Sequence, residues 1–297
     1  MLVLTEKEIR QAVSMAEAMA AMEDAFGALA RGEARLPNVI GLEVPEVDGE
    51  FHVKGAHLQG APYAVFKVAS GFWGNPARGL ATSSGLMMAF DANTGFPAAL
   101  LLDNGYLTDL RTGAAGGVAA NYLANPVLEK VAVIGSGLQA RYQLRAVAHV
   151  RQLEGRVAVW SRDREHAETY AREMVAELGV DVGVAPDVEV ALRNAGLVIT
   201  TTPSREPLVQ AGWLSRGVHI NAVGSDAPDK QELDVSVLAR ADIVFADRLS
   251  QCSRLGEIHH AVEAGIIDAD DVAGELGDLI VGRTPGRTAE DQITVCD

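Results

Sequence analysis

The sequence predicts an α/β protein in which an α+β region with a mostly antiparallel sheet precedes a doubly wound parallel sheet. From residue 126 onward, strand patterns alternate with helix patterns, which is the order that builds a parallel sheet. Between residues 38 and 102, strand patterns follow one another with only turn residues between them. A helix rich in Ala and Gly at residues 107–124 separates the two regions, and Asn125-Pro126 stops it.

Length and composition narrow the class of protein. A chain of 297 residues is comfortable for two domains, and 48% hydrophobic with 22% charged residues is usual for a soluble globular protein. The net charge of -15 argues against nucleic acid as a partner, because phosphate backbones require a basic surface. The sequence shows neither a secretory leader nor a run of about 18 apolar residues, so we expect a cytoplasmic protein with no membrane partner.

Cysteine and histidine patterns give no metal site. Cys252 and Cys296 have no metal-ligand spacing, and so few cysteines fit a reducing compartment. His259 and His260 are neighbours, and adjacent residues of a helix point in different directions. We therefore expect no bound metal.

Local signals place the elements in order. Capping-box patterns at Thr5 with Glu8 and at Ser14 with Glu17 begin two helices, the second ending near Gly32. The strands predicted next are 39–44, 50–57, 64–68, 86–90 and 98–102. In the second region the predicted strands are 130–134, 156–160, 180–184, 197–201, 219–223 and 243–246, and the predicted helices are 139–150, 164–178, 188–195 and 235–239. The pattern ends with a helix at 257–264, an acidic stretch at 268–278 and a strand near 293–296.

A glycine-rich turn at the start of the second region carries the first functional signal. A short apolar strand, 130–134, runs into Gly135-Ser-Gly137 and then into a helical pattern. This order is how a Rossmann-type fold holds a dinucleotide pyrophosphate at a helix N-terminus. Gly135 permits the tight turn, Gly137 lets the backbone approach phosphate, and Ala140 keeps the helix near the strand. The predicted nucleotide contacts are Gly135, Ser136, Gly137, Leu138, Gln139 and Ala140.

The second parallel strand indicates which dinucleotide binds. NAD enzymes usually place an acidic residue at its end, whereas this strand ends in Ser161-Arg162. Because a guanidinium pairs directly with a 2′-phosphate, we favour NADP over NAD. The alternative is a solvated helix start capped by Ser161 or Asp163. Further cofactor contacts are predicted where the fourth and fifth strands end, at Thr201, Thr202, Pro203, Val223 and Gly224.

Four charged residues are candidates for the chemistry. Asp226 follows the fifth strand, where a carboxylate could exchange a proton with a substrate nitrogen, although capping of the next turn is equally compatible with the sequence. Lys54 and Lys67 lie in apolar strands, and a lysine in a strand usually faces solvent. Arg111, at the start of the small-residue helix, could anchor a carboxylate or serve as a structural bridge, and Thr112 could reach cofactor phosphate.

Four segments in this order resemble the ornithine cyclodeaminase/mu-crystallin family over nearly the whole chain. Residues 103–110 look closest to its ectoine-utilisation branch, and residues 230–234 are similar to its iminosuccinate reductases. The segments that carry the resemblance are 103–115, 135–140, 224–226 with 230–233, and 256–259.

The resemblance implies a homodimer formed through the N-terminal sheet, with NAD(P) in the second domain. It implies that Lys67 and Arg111 hold a substrate carboxylate and that Asp226 acts on the amine or imine nitrogen. Arg111 also counts among the predicted cofactor contacts, and Lys54 among those to substrate. Thr82 or Ser84 would add a hydroxyl to the substrate site.

Two departures from the family pattern bear on the substrate and on the domains. The arginine that the family commonly has early in the substrate domain is missing, since none occurs between Arg35 and Arg78. Family members also continue into a long helix beyond the last strand, so the segment ending at Asp297 looks truncated. The predicted domains are a substrate and dimerisation domain at 1–125 that ends in the interdomain helix 107–124, an NAD(P)-binding domain at 126–270, and a C-terminal segment at 271–297 that returns toward the first.

The sequence thus predicts an NAD(P)-dependent enzyme that moves hydride to or from the α-carbon of a small amino or imino acid. One alternative is a cyclodeaminase, which releases ammonia and regenerates its cofactor. A second is a non-catalytic NADP-dependent binding protein like mu-crystallin, which would not need Lys67, Arg111 and Asp226.

Overall fold

The computed structural model describes residues 1–297 as two compact units, Met1–Arg111 and Thr112–Asp297. The division falls within helix α3, which spans Tyr106–Leu123, rather than at the predicted boundary after residue 125. The reason is close packing inside the second unit: a Cβ on Gly113 would lie 2.6 Å from the Tyr142 side chain. Most of the small-residue helix therefore belongs to the second unit.

The first unit contains one mixed, mostly antiparallel sheet, as predicted. The sheet order is β1-β7-β6-β5-β4-β2, with β3 also paired to β4, and only the β1–β7 pair is parallel. Both predicted capping boxes are present at the starts of α1 and α2. The elements are β1 (Leu2–Thr5), α1 (Glu6–Ala12), α2 (Met15–Ala30), β2 (Ala34–Arg35), β3 (Ile40–Val44), β4 (Gly49–Leu58), β5 (Tyr63–Phe72), β6 (Ser83–Asp91) and β7 (Pro97–Leu102).

The strand register separates this sheet into two chemically different faces. Lys54 lies directly opposite Lys67, and residues opposite each other in an antiparallel pair project from the same face. We call this the cationic face, and its other members include the small residues Ala69 and Gly85. The other side, the apolar face, carries Ile40, Leu42, Phe51, Val53, Phe66, Val68, Leu86, Met88, Phe90 and Leu100.

The apolar face is only partly covered within a single chain. No residue of β3 to β7 is buried, although aromatic pairs pack edge-on across the strands, such as Phe66 with Phe90 at 5.8 Å between ring centroids. Ile40 and Leu42 remain 65% and 61% exposed. A contiguous apolar surface of this kind usually marks an interaction site.

The second unit is the predicted doubly wound parallel sheet. Its strand order is β10-β9-β8-β11-β12-β15-β13-β14, and every pair is parallel. After α3, its elements are β8 (Val127–Ile134), α4 (Leu138–Val150), β9 (Gln152–Trp160), α5 (Arg164–Leu178), β10 (Val182–Val184), α6 (Val188–Leu192), β11 (Leu197–Thr200), β12 (His219–Ala222), α7 (Val235–Arg240), β13 (Ile243–Ala246), α8 (Leu249–Cys252), α9 (Gly256–Glu263), β14 (Gly274–Glu275), α10 (Leu276–Ile280) and β15 (Thr294–Cys296).

The C-terminal segment does not form the separate returning piece that the sequence suggested. Strand β15 lies between β12 and β13, with Thr294 opposite both His219 and Ile243. Ile293 and Val295 are fully buried, so the segment supplies core to the second unit. The predicted acidic stretch includes β14 and the start of α10, whose Leu276 is also buried.

The parallel sheet of the second unit is buried on both faces. Every residue of β11 and β12 is buried, and two apolar clusters cover the two faces of the sheet. None of the helices combines the length and the apolar composition needed to cross a membrane.

Candidate functional site

The glycine turn after β8 has the geometry that the sequence predicted. Gly135 has φ +113°, and a Cβ there would lie 2.7 Å from the Thr201 Oγ1, so only glycine is accommodated. Its N–H donates to the Trp160 carbonyl at 2.8 Å, which fixes the turn against the end of β9. Gly137 is the N-cap residue of α4 and has no atom within 4 Å of its Cβ position.

These features fit a dinucleotide pyrophosphate. The first turn of α4 has no side-chain cap, and the open space beside Gly137 lets an anion approach its N–H groups. Arg141 braces the turn by donating to the carbonyls of Ser136 and Gly137 at 2.6 and 2.9 Å. Ala140 is fully buried, and Leu138 is exposed. The chain therefore has the cradle that a bound NAD(P) requires.

The structure shows which residue after β9 caps helix α5. Asp163 accepts hydrogen bonds from the backbone N–H groups of Glu165 and His166, so the capping role belongs to it and not to Ser161. Arg162 is exposed and forms no ion pair or hydrogen bond with the rest of the chain, whereas Arg164 pairs with a glutamate one turn along α5. The Arg162 guanidinium therefore lies just after β9 with its N–H donors available to a ligand.

The loops after β11 and β12 meet beside the glycine turn. The Thr201 N–H donates to the Ile134 carbonyl at 2.9 Å, and the Val223 N–H donates to the Thr200 carbonyl at 3.0 Å. A Cβ on Gly224 would lie 2.4 Å from the carbonyl oxygen of Thr202, so the two loops touch at backbone distance. The structure brings Thr201, Thr202, Val223 and Gly224 together, and Pro203 directly follows Thr202.

Asp226 lies exposed on the loop after β12 and is paired with a lysine. Its Oδ1 lies 2.5 Å from Lys230 Nζ, whose side chain is only 19% exposed. The side-chain partner of Asp226 is therefore this ammonium group and not a backbone amide of the next turn. Sequence reasoning missed Lys230, although its i, i+4 spacing from Asp226 was a readable signal.

Cations converge on the cationic face of the first unit. Burial, together with the positive charges of Arg111 and Lys54, lowers the pKa of the partly buried Lys67 to about 8. The carboxylates of Asp103 and Asp109 oppose this shift. Such a cluster attracts a small anion, because each cation is stabilised by a negative charge placed among them.

Neither predicted hydroxyl is placed beside Lys67 by the strand register. Ser84 lies opposite Ser70 and so projects from the apolar face, whereas Ser83 shares the cationic face. Thr82 precedes β6, and its carbonyl accepts a hydrogen bond from the Phe72 N–H at 2.8 Å.

Arg111 and Thr112 fall on either side of the unit division. Within the second unit, the Thr112 carbonyl accepts a hydrogen bond from the Gln143 amide at 2.9 Å.

The two adjacent histidines lie closer than the sequence argument assumed. The ring centroids of His259 and His260 are 5.1 Å apart, and their nitrogens lie within 4.8 Å of each other and of a Glu263 oxygen. His260 Nε2 is 2.7 Å from the Lys230 carbonyl, and His259 lies 3.6 Å from Glu263. Both rings therefore have protein partners.

Comparison with known proteins shows which family has this architecture. A sequence profile of the ornithine cyclodeaminase/mu-crystallin family matches residues 1–297. The chain belongs to this family. An uncharacterised cyclodeaminase of Sinorhizobium fredii is 44% identical over 299 residues, which cover 100% of the chain and 90% of that relative.

Solved structures of family members superpose closely. An archaeal alanine dehydrogenase dimer with bound NAD is 40% identical with a TM-score of 0.92, covering 100% of this chain and 89% of that one. The Δ1-pyrroline-2-carboxylate reductase of Thermococcus litoralis, in complex with NADH and L-proline, is 31% identical with a TM-score of 0.94, covering 100% and 91%. The predictions of the family, of the fold and of an NAD(P)-dependent oxidoreductase are thereby confirmed.

Proposed function

We propose that this family member reduces the C=N bond of a small 2-imino acid, or oxidises the corresponding amino acid in reverse. The observation that carries the proposal is Lys67, which has a lowered pKa and shares the cationic face with Lys54. A cation cluster on the face of a sheet suits a short carboxylate-bearing substrate better than a large apolar one.

The proposed binding step uses charge and geometry together. Arg111 offers a planar guanidinium that can bind a carboxylate through two parallel hydrogen bonds. Lys67, with its pKa of about 8, is protonated in most molecules at pH 7 and adds a second contact. Lys54 adds positive charge from the opposite strand position.

Reduction of the C=N bond requires one hydride and one proton. Bound NAD(P)H would supply a hydride, and the carbon of the C=N bond would accept it. The nitrogen then needs one proton, which would pass from solvent through Asp226, with Lys230 holding the Asp226 carboxyl group in place. The balance is imine plus NAD(P)H plus H⁺ giving amine plus NAD(P)⁺.

The cofactor proposal includes a preference for NADP over NAD. The exposed guanidinium of Arg162 has no partner in the chain, and Ser161 beside it adds a hydroxyl donor. Because Asp163 already caps α5, neither residue is needed for the helix start. Both groups suit a 2′-phosphate.

A cyclodeaminase is the second candidate, favoured by the 44% identical relative from Sinorhizobium fredii. It would run the oxidative step first, lose ammonia after attack by a side-chain amine, and return the hydride to the cyclic product. The same residues would serve, so only the products separate the two candidates. A binding protein without catalysis would have no use for Lys67, Arg111 and Asp226 together.

We also propose that the protein works as a homodimer in the cytoplasm. The partly covered apolar face of the first unit supports an isologous contact with a second copy. The two free, buried cysteines, Cys252 and Cys296, support a reducing location.

A substrate panel tests the proposal directly. Purified protein is offered cyclic ketimines, iminosuccinate, or 2-oxo acids with ammonia or methylamine, each with NADPH and with NADH, while nicotinamide absorbance is followed. We expect stoichiometric oxidation of the cofactor with at least one imine. Ammonia release from ornithine without net change in the cofactor would instead establish the cyclodeaminase.

A further inference from the structure

Two glutamates in the second unit are buried where carboxylates are rare. Glu232 is 0% exposed and Glu257 is 1% exposed. Burying a carboxylate is costly unless its oxygens are hydrogen-bonded, so such residues are seldom retained without a use. Neither residue belongs to the proposed chemistry above.

The Glu232 carboxylate joins the two loops that follow β11 and β12. One oxygen, Oε1, accepts a hydrogen bond from the backbone N–H of Thr202, and Oε2 accepts one from the N–H of Gly224 at 2.9 Å. A Cβ on Gly224 would lie 2.5 Å from Oε2, so the glycine is what allows this contact. One side chain thus sets the spacing between the two loops.

A second carboxylate holds Glu232 itself. Glu257, in the first turn of α9, accepts from the backbone N–H groups of Glu232 and Leu233 at 2.8 and 3.1 Å. The next amide of α9, that of Ile258, donates to Asp297 Oδ2 at 2.9 Å. Carboxylate-to-amide bonds therefore run in series from the end of β15 to the loops at the carboxyl edge of the sheet.

The same segment carries the proposed proton-transfer pair. The Lys230 carbonyl accepts from the Ser225 hydroxyl and lies 2.7 Å from His260 Nε2, so the loop is held from both sides. Asp226 and Lys230 precede Glu232 by six and two residues.

We propose that Glu232 is a positioning residue. It holds the loops after β11 and β12 in the position that binds the nicotinamide half of the dinucleotide, without touching cofactor or substrate. The assignment rests on the nucleotide site of the proposed function and is independent of the substrate. In doubly wound sheets these two loops face the nicotinamide end, whereas the glycine turn after β8 faces the pyrophosphate.

Glutamine tests the role, because it has the shape of glutamate but only one accepting oxygen. In Glu232→Gln the new NH₂ group faces an N–H, so either Thr202 or Gly224 loses its partner. Leaving one of these buried N–H groups without its partner corresponds to about a 10- to 100-fold change in an equilibrium constant. We measure dissociation constants for NADH and for ADP-ribose, which lacks only the nicotinamide ring, by calorimetry on the full chain.

We expect Glu232→Gln to weaken NADH at least tenfold while ADP-ribose changes less than about twofold. The matched control, Glu206→Gln, changes an exposed glutamate in the loop between β11 and β12 and leaves both constants unaltered. Equal weakening of both ligands, or of neither, overturns the assignment.

A second variant covers the case in which Glu232→Gln does not fold. Glu257→Gln removes one of the two acceptors that hold the Glu232 backbone, and we expect a smaller loss in the same direction, again confined to NADH. A loss shared with ADP-ribose rejects the positioning role. If the unmodified chain binds neither ligand, the nucleotide site of the proposed function fails, which is distinguishable from a failure of Glu232 alone.

Discussion

The two sheets of this chain differ in how completely a single copy covers them. In the second unit, β11 and β12 are buried throughout, whereas in the first unit no residue of β3 to β7 is buried. The second sheet completes its own core from one chain. The first has apolar side chains, regularly alternating with polar and small ones, that only a further surface can cover.

The difference extends to the chemistry of each unit. The second unit offers backbone amides and glycine turns, which bind a feature common to all dinucleotides, and buried carboxylates that fix its loops. The first unit offers side-chain charges on a sheet, which depend on strand register and can change one residue at a time. Cofactor binding should therefore tolerate changes in the first unit, and substrate selection should reside there.

The largest expected effect lies in the second unit, at Asp226. Asp226→Asn removes the group that exchanges a proton with the substrate nitrogen while keeping the shape of the side chain, and general acid–base groups contribute about 10²- to 10⁴-fold to rate. We expect kcat to fall by that factor while the NADH dissociation constant is unchanged. Asp229→Asn, an exposed acid in the same loop that pairs with Arg205, is the matched control and should retain activity. Full activity of Asp226→Asn would contradict the proton-transfer role.

The next largest effect concerns the partly covered sheet. Leu42→Glu places a charge on the apolar face, and burying it in an interface is unfavourable by enough to raise the dimer dissociation constant about 100-fold or more. Sedimentation or light scattering across a concentration series measures the change. Glu43→Gln, the neighbouring residue on the opposite face, should leave the dimer intact. A dimer equally stable in both variants would show that the apolar face is not the interface.

The Lys67 pKa gives a pH dependence that belongs to the first unit. Below about pH 8 the ammonium is charged and attracts the substrate carboxylate; above it the charge is lost. We expect kcat/KM to fall about tenfold per pH unit above that value. Lys67→Arg, which stays charged, should move this decline upward by more than one unit, whereas Lys7→Arg should not. A decline that stays in place in Lys67→Arg would have to come from another group.

The smallest expected effect is at the end of β9. Arg162→Ala should weaken NADPH about fivefold to tenfold and NADH less than twofold, because only NADPH carries the 2′-phosphate. Arg164→Ala removes a guanidinium that already pairs with Glu168 and serves as the control. Equal effects of Arg162→Ala on both cofactors would remove the preference for NADP.

Sequence reasoning succeeded where the signal was local. The capping boxes, the glycine turn and the alternation of strands with helices are written in neighbouring residues, and the structure has them. The Asp226–Lys230 pair is equally local, and its i, i+4 spacing is a signal in the sequence that was not used.

What the sequence did not reveal depends on long-range pairing. Strand register places Lys54 opposite Lys67 and puts Ser84 on the other face, and the sequence of a single strand does not specify that register. The burial of Glu232 and Glu257 is likewise invisible, since acidic residues in polar stretches read as solvated surface until the fold encloses them.

The insertion of β15 between β12 and β13 has a consequence for how the second unit folds. Until Thr294–Cys296 pairs, β12 and β13 each have an unpaired edge in the middle of what will become the sheet. The strand that closes this gap follows β12 by more than 70 residues, and pairings so distant in sequence form slowly. Strands β13 and β14 therefore join the rest of the sheet only through β15.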